Sequence, residues 1–261
     1  MATVRLRHLL TRQAIQRAAF ADLRAFLEVS NSPDVVSWKD DFFGDSLNAT
    51  YQTTTANSGT APAMAATEIA NGEIELVTGA TNDGASGLSL NTGFRGDLNA
   101  IIMCRLKISS LSDVKVEMGF TDAHGDAGAV NVLATPNNTA DDAVVWILDT
   151  DDGGNSTKWQ AVGIDTTTVA TKIEPALTPV AGTYETLIVE LIGGKARFYR
   201  MDFDHLLTYT SDIMDAAVTE TVVLTPWIFA QTRTTSSKTL TVDYMHVWQR
   251  RTAIDETGKS A

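Results

Sequence analysis

The spacing of apolar residues changes near Trp38, from threes and fours to strict alternation, and no other feature constrains the fold of this chain as strongly. In 114–120, Val114, Val116, Met118 and Phe120 alternate with Lys115, Glu117 and Gly119; in 102–108, Ile102, Cys104, Leu106 and Ile108 share one face. Successive side chains of an extended chain point to opposite sides, so this pattern predicts strands with one buried face. Further strands are predicted at 73–78, 143–149, 158–164, 169–173, 185–192, 196–203, 221–231 and 238–249. Turn chemistry separates them at Asn82-Asp83-Gly84, Asp151-Asp152-Gly153-Gly154-Asn155 and Thr234-Thr235-Ser236-Ser237, while Gly193-Gly194 specifies a two-residue hairpin. Pro226-Trp227-Ile228-Phe229-Ala230 is apolar on both faces and reads as a central strand. The Ala-, Thr- and Gly-rich stretch 49–70 is expected to be a loop or irregular edge. So many short strands, with no second long helical pattern, predict an all-β antiparallel two-sheet sandwich.

The stretch before Trp38 differs in kind. Leu6, Leu9, Leu10, Ala14, Phe20, Leu23, Phe26 and Leu27 recur at helical spacing, and an amphipathic helix is predicted over 4–28 until Ser30-Asn31-Ser32-Pro33 stops it. Arg5, Arg7, Arg12, Arg17 and Arg24 outnumber Asp22 and Glu28 there, so a basic leader precedes a body that gives the chain its net charge of −12. Two readings stay open for the leader. It packs on the edge of its own domain, or it docks on another protein through Arg5, Arg7, Leu9, Leu10, Arg12, Arg17, Phe20, Leu23 and Phe26. The expected organisation is a helical segment 1–33, a sandwich 34–252 and a polar tail 253–261.

Composition excludes several classes. A body this acidic repels nucleic acid, and no apolar run approaches the roughly 20 residues of a membrane-spanning helix. A single cysteine, Cys104, rules out a disulfide framework, and its alternating apolar surroundings predict a buried, inert thiol.

Three segments resemble a known family. Trp38-Lys39-Asp40-Asp41-Phe42, Glu117-Met118-Gly119-Phe120-Thr121-Asp122 and Val242-Asp243-Tyr244-Met245-His246-Val247-Trp248-Gln249 are similar to the first, middle and last strands of concanavalin A-like jelly rolls. The last also resembles the terminal strand of laminarinase-type family 16 glycoside hydrolases. The resemblance covers roughly 38–250 and implies two curved sheets of about six or seven strands, with a concave face that binds glycans in lectins and glycanases.

The catalytic set that such glycanases need is absent. They carry Glu-x-Asp-x-Glu, or a one-residue-longer variant, holding nucleophile and acid about 5–5.5 Å apart. Glu73-Ile74-Glu75 and Asp202-Phe203-Asp204 lack a third carboxylate and read as solvent-facing charges. Gly84-Ala85-Ser86-Gly87 is one position short of a Gly-x-Ser-x-Gly elbow and is expected in a turn. His8, His124, His205 and His246 are scattered.

Two acidic turns offer oxygen ligands of the kind Ca²⁺ takes: Asp149, Asp151 and Asp152 in one, Asp122 and Asp126 in the other. The first departs from an EF-hand loop, with Gly153 at the fifth position and Gln160 at the twelfth, and such turns also occur without metal. Among the aromatics, Trp146, Trp227, Trp248 and Tyr244 are expected mainly in the core. The core reading is favoured for Trp159 too, but flanked by Lys158 and Gln160 after an acidic turn it is the best candidate of the set for an exposed platform on which a sugar stacks.

These features give three functional expectations. The leading one is a non-enzymatic structural subunit of a tailed-bacteriophage virion, whose decoration, head-fibre and tail-associated jelly rolls this chain resembles. It would be anchored to other virion proteins by its leader and assembled as a homo-oligomer. The alternative is a lectin-like module that binds surface glycans. The third is a divergent family 16-like glycanase, which lacks its carboxylates here.

Overall fold

The computed structural model describes residues 34–65, 72–133, 137–166, 168–169 and 172–252. The predicted leader helix, with its docking residues Arg5, Arg7, Leu9, Leu10, Arg12, Arg17, Phe20, Leu23 and Phe26, and the tail 253–261 lie outside the described residues.

The described chain is built of strands with two short 3-10 turns. The first half runs through β1 (Val35–Asp40), β2 (Tyr51–Ala56), β3 (Ala63–Met64), β4 (Ile74–Val77), β5 (Ala85–Leu90), β6 (Ile101–Ile108), β7 (Val114–Thr121), β8 (Val130–Val132) and β9 (Asn137–Asn138). It continues through β10 (Ala143–Asp149), β11 (Trp159–Asp165), β12 (Thr168–Val169), β13 (Ile173–Leu177), β14 (Glu185–Ile192), β15 (Lys195–Met201), β16 (Leu207–Thr210), β17 (Thr225–Thr232) and β18 (Thr239–Arg250).

Two antiparallel sheets hold most of them. The first has the order β16-β15-β14-β6-β18-β4-β3. Its twelve-residue β18 pairs with β4 through its first half and with β1 through its second, Val35 lying opposite Arg250. The second sheet has the order β12-β11-β10-β7-β17-β5-β2, with β13 also paired to β11. Alternation decides which side chains fill the space between them. Ile102, Cys104, Leu106 and Ile108 of β6 and Val114, Val116, Met118 and Phe120 of β7 all enter one continuous core, joined there by Trp146, Trp159 and Phe198. Trp146 lies edge-on to Phe198 and to Trp159, with ring centroids 5.3 and 6.5 Å apart. Cys104 sits in this core, and burial pushes its thiol well above its ordinary range.

The predicted sandwich is therefore present, and the Gly193-Gly194 hairpin forms with Ile192 opposite Lys195 and Gly193 at φ +63°. Three expectations are corrected. The stretch 49–70 contains a real strand, β2, paired along its length with β5. Ala85–Leu90 is itself a strand and not part of a turn, its small residues being buried on both sides. β7 is buried on both faces rather than one, including Lys115 and Glu117. The reason for the last lies in the segment between β7 and β10. It folds back over the outer face of the second sheet, and its Ala129, Val130, Leu133 and Ala140 pack with Val145, Ile147, Val162, Trp227 and Phe229 as a second apolar layer.

Candidate ligand site at one end of the second sheet

The segment covering the second sheet is fastened by charge. Glu117, fully buried, accepts hydrogen bonds from the Trp227 indole N–H at 2.8 Å and from the backbone N–H groups of Ala129 at 2.8 Å and Val130 at 3.1 Å. The Lys115 ammonium lies 3.0 Å from its other side and donates to the carbonyls of Ala127, at 2.6 Å, and Val130. Gly128 makes the approach possible. Its φ is +78°, and a Cβ there would stand 2.6 Å from Glu117 Oε1. Burial lowers the Lys115 pKa against the opposing pull of Glu117. A carboxylate saturated in this way has no lone pair directed at a substrate; it works as a rivet between covering segment and sheet.

A second ionic group lies at the rim of the same face. Arg233, just past β17, forms two parallel bonds to Asp149 at the end of β10, Nε to Oδ1 at 3.0 Å and Nη2 to Oδ2 at 2.7 Å. Nη2 also donates to the Asn131 carbonyl at 3.1 Å, so the covering segment is held here too. Burial opposes the charge of Arg233, but Asp149, Asp151 and Asp83 outweigh it and raise its pKa. Two partly exposed carboxylates border the guanidinium: Asp83, 48% exposed and 3.5 Å away, and Asp151, 59% exposed and 3.6 Å away. Gln231 points its amide nitrogen at the Asp83 carbonyl, 3.5 Å away, while its buried Oε1 has no partner among the described residues. Neighbouring turns thus present two partly exposed carboxylates on either side of a guanidinium that is itself only 6% exposed. Two carboxylates so placed can accept hydrogen bonds from the adjacent hydroxyls of a polyol.

The sequence-predicted residues distribute as follows. Trp159 is no platform: it is fully buried, with its indole N–H donated to Glu185 at 2.8 Å, and Arg200 also pairs with that carboxylate. The strand period turns it inward, and the polar residues beside it in sequence mark strand ends and the opposite face. Trp146, Trp227 and Trp248 are also buried, and Tyr244 partly so. Of the first acidic turn, Asp149 is taken by Arg233, Asp152 accepts from Gln160 at 2.5 Å and Lys172 at 3.3 Å, and Asp151 stays exposed. Ca²⁺ would have to displace cations already in place. In the second, Asp122 is half-buried with its pKa raised by burial, and Asp126 is exposed. No three His, Cys, Asp or Glu side chains converge as metal ligands among the described residues. Glu73 receives Tyr184 and Lys107 on the outer face of the first sheet, and Asp202 caps its own turn through the N–H groups of Asp204 and Leu206.

Arg233, Asp83, Gln231 and the Lys115–Glu117 pair were missed by sequence reasoning. Only Glu117 carried a signal, as a charge between apolar neighbours in a strand that also carries Lys115 two residues away.

Comparison with known proteins bears on the fold. No protein-family model matches the sequence, and no curated protein matches it. Among solved structures, a protein of unknown function from Shewanella oneidensis MR-1 superposes with a TM-score of 0.62 at 8% identity, over 88% of this chain and 94% of that one. Peanut lectin superposes with a TM-score of 0.56 at 12% identity, over 82% and 97%. A family 16 endo-glucanase from Bacteroides ovatus does so with 0.55 at 9% identity, over 80% and 99%. At these identities the likeness is one of architecture: the chain has the concanavalin A-like two-sheet fold shared by lectins and family 16 glycanases.

Proposed function

We propose that this chain is a glycan-binding module of lectin type that does not hydrolyse its ligand. The observation that carries the proposal is the pair of partly exposed carboxylates, Asp83 and Asp151, set 3.5 and 3.6 Å from the buried Arg233 guanidinium that Asp149 holds. Polar groups fixed on turns at a sheet end suit a ligand recognised by hydroxyls. The absence of hydrolysis is supported by the state of Glu117, whose oxygens are spent on Trp227, Lys115 and two backbone amides. It is supported also by the sequence, which lacks the Glu-x-Asp-x-Glu strand. The fold likeness to peanut lectin agrees with the binding role. A virion attachment role draws no such support, and the leader it needs lies outside the described residues.

The test is a glycan array followed by calorimetry on the best ligand. Asp83→Asn, which suits the left-handed backbone there (φ +59°), and Asp151→Asn are expected to weaken binding about tenfold or more each, as loss of a charge-assisted hydrogen bond does, with little change in the melting temperature. Failure of the wild-type chain to bind any glycan, or undiminished binding by both variants, overturns the proposal. Release of reducing ends from a β-glucan overturns its non-enzymatic part.

A further inference from the structure

A sheet edge left unpaired is a template for another strand, and folded chains guard such edges with charges, proline, bulges or brevity. The other marginal strands here are guarded. β13 carries Glu174 and Pro175, and β1 carries Lys39 and Asp40. β16 is four residues long beside a register shift at Arg200 and Met201, and β3 and β12 have two residues each. β2 has none of these devices. It ends the order of the second sheet, and its six residues, Tyr51-Gln52-Thr53-Thr54-Thr55-Ala56, pair with β5 in unbroken register. The Asn91 N–H donates to the Thr50 carbonyl at 2.9 Å, which sets the phase of this ladder. The backbones of Gln52, Thr54 and Ala56 point at β5, and those of Thr53 and Thr55 point away. Both threonines are exposed, and among the described residues nothing bonds to the N–H or C=O of either.

We propose that this edge is where two copies of the chain join, β2 pairing antiparallel with β2 of the second copy. Charge selects the partner. A chain of net charge −12 repels its own copy wherever acidic surfaces meet. β2 lies in the longest run of the sequence without a charged residue, from Ser46 to Thr67, between Asp45 and Glu68. Two identical strands therefore meet here with no like charges opposed. Symmetry agrees. A two-fold axis at Thr54 sets Thr53 opposite Thr55 of the partner subunit, and Thr55 opposite the partner's Thr53, both as hydrogen-bonded pairs. Every outward-pointing N–H of these residues then finds a carbonyl, and threonine pairs across strands add to such a ladder. The other face of the strand is already tied down. Thr54 Oγ1 donates to the His124 carbonyl at 3.1 Å, and Gln52 Oε1 lies 3.1 Å from His124 Nε2. These bonds hold β2 extended before a partner arrives, which lowers the ordering entropy that association costs. The second sheet runs on through both copies.

Sedimentation equilibrium of the full chain over a concentration series tests this. Wild type is expected to pass from monomer to dimer as concentration rises. Thr53→Pro removes a donor on the open side, where an edge strand tolerates proline, and Thr55→Lys adds the charge that guards edges elsewhere. Each should weaken dimerisation about tenfold or more with the far-ultraviolet spectrum unchanged, whereas Thr53→Val, which keeps the backbone N–H, should not. A monomeric wild type, or a dimer as tight in Thr55→Lys as in wild type, overturns the proposal whether or not the proline variant folds. Equal loss in Thr53→Val overturns the pairing through backbone. Cross-linking then locates the contact. Across the axis Thr54 faces its own copy as a non-hydrogen-bonded pair, with Cα atoms about 4.5 Å apart and within disulfide reach. Thr54→Cys is accordingly expected to oxidise to a covalent dimer at least about tenfold faster than Thr208→Cys on the edge of β16. Equal rates overturn the proposal. Calorimetry reads glycan affinity per chain, so a monomeric wild type leaves the lectin proposal standing, and absent glycan binding leaves the dimer standing.

Discussion

The Trp227 indole N–H donates to Glu117 Oε2 at 2.8 Å, joining side chains 110 residues apart beneath the segment that covers the second sheet. With Lys115 at 3.0 Å, this makes the pair a buried ionic site whose halves depend on each other. Removing one partner leaves a desolvated charge, at a cost of about 3–5 kcal/mol, whereas removing both does not. Glu117→Gln and Lys115→Met are therefore each expected to lower stability by about that amount in urea unfolding. The double variant Lys115→Met/Glu117→Gln, which removes both charges and keeps an acceptor for the Trp227 indole and the covering segment's amides, should recover part of the loss. Single variants as stable as wild type would show that the pair is solvated in solution.

Calcium should have no effect on stability. Both oxygens of Asp149 are engaged by Arg233, and Asp152 is engaged by Gln160 and Lys172. The melting temperature is expected to be the same in millimolar Ca²⁺ and in excess chelator. A rise of several degrees with Ca²⁺ would mean that the ion outcompetes Arg233 or Lys172 for these turns.

His246 makes stability pH-dependent. Burial, with Lys39 close by, lowers its pKa to about 4, with Asp41 partly opposing. In the unfolded chain it titrates near the ordinary value of about 6.5. Above that pH both states are neutral and no free energy is at stake. As pH falls from about 6.5 to about 4, the unfolded chain binds a proton that the folded chain refuses, so stability is lost, reaching about 3 kcal/mol at the lower end. His246→Asn should flatten this slope relative to wild type in urea midpoints between pH 7.5 and 4.5. Parallel slopes would refute the assignment.

Trp159→Ala is expected to act on stability and not on recognition. The change empties a core site beside Trp146 and strands Glu185 with one partner fewer, costing about 3–5 kcal/mol. Any folded fraction should retain its affinity for glycan, measured by calorimetry below the melting transition. Wild-type stability with lost binding would return Trp159 to the ligand site.

Much of the sandwich was legible because a strand's faces are set by period two. The inward set of β6 and β7, the double-sided apolar β17 and the Gly193-Gly194 hairpin are all consequences of nearest neighbours in sequence. β5 escaped notice because Ala85-Ser86-Gly87-Leu88-Ser89-Leu90 has few large side chains to mark a period. It is a strand because β2 and β17 pair with it on either side. Trp159 misled because polar neighbours in sequence say nothing about what stands across the core.

The sequence by itself determined the class of fold, the strands that make its centre and the burial of Cys104, since each follows from local alternation and side-chain size. Tertiary structure decided the charges. Lys115 and Glu117 look like solvent-facing residues until the segment after β7 returns over them. Asp149 and Asp151 look like metal ligands until Arg233, more than eighty residues on, arrives between them. The fate of a charge depends on how much water is removed around it and on which opposite charge replaces that water, and both are fixed by contacts between residues far apart in the chain.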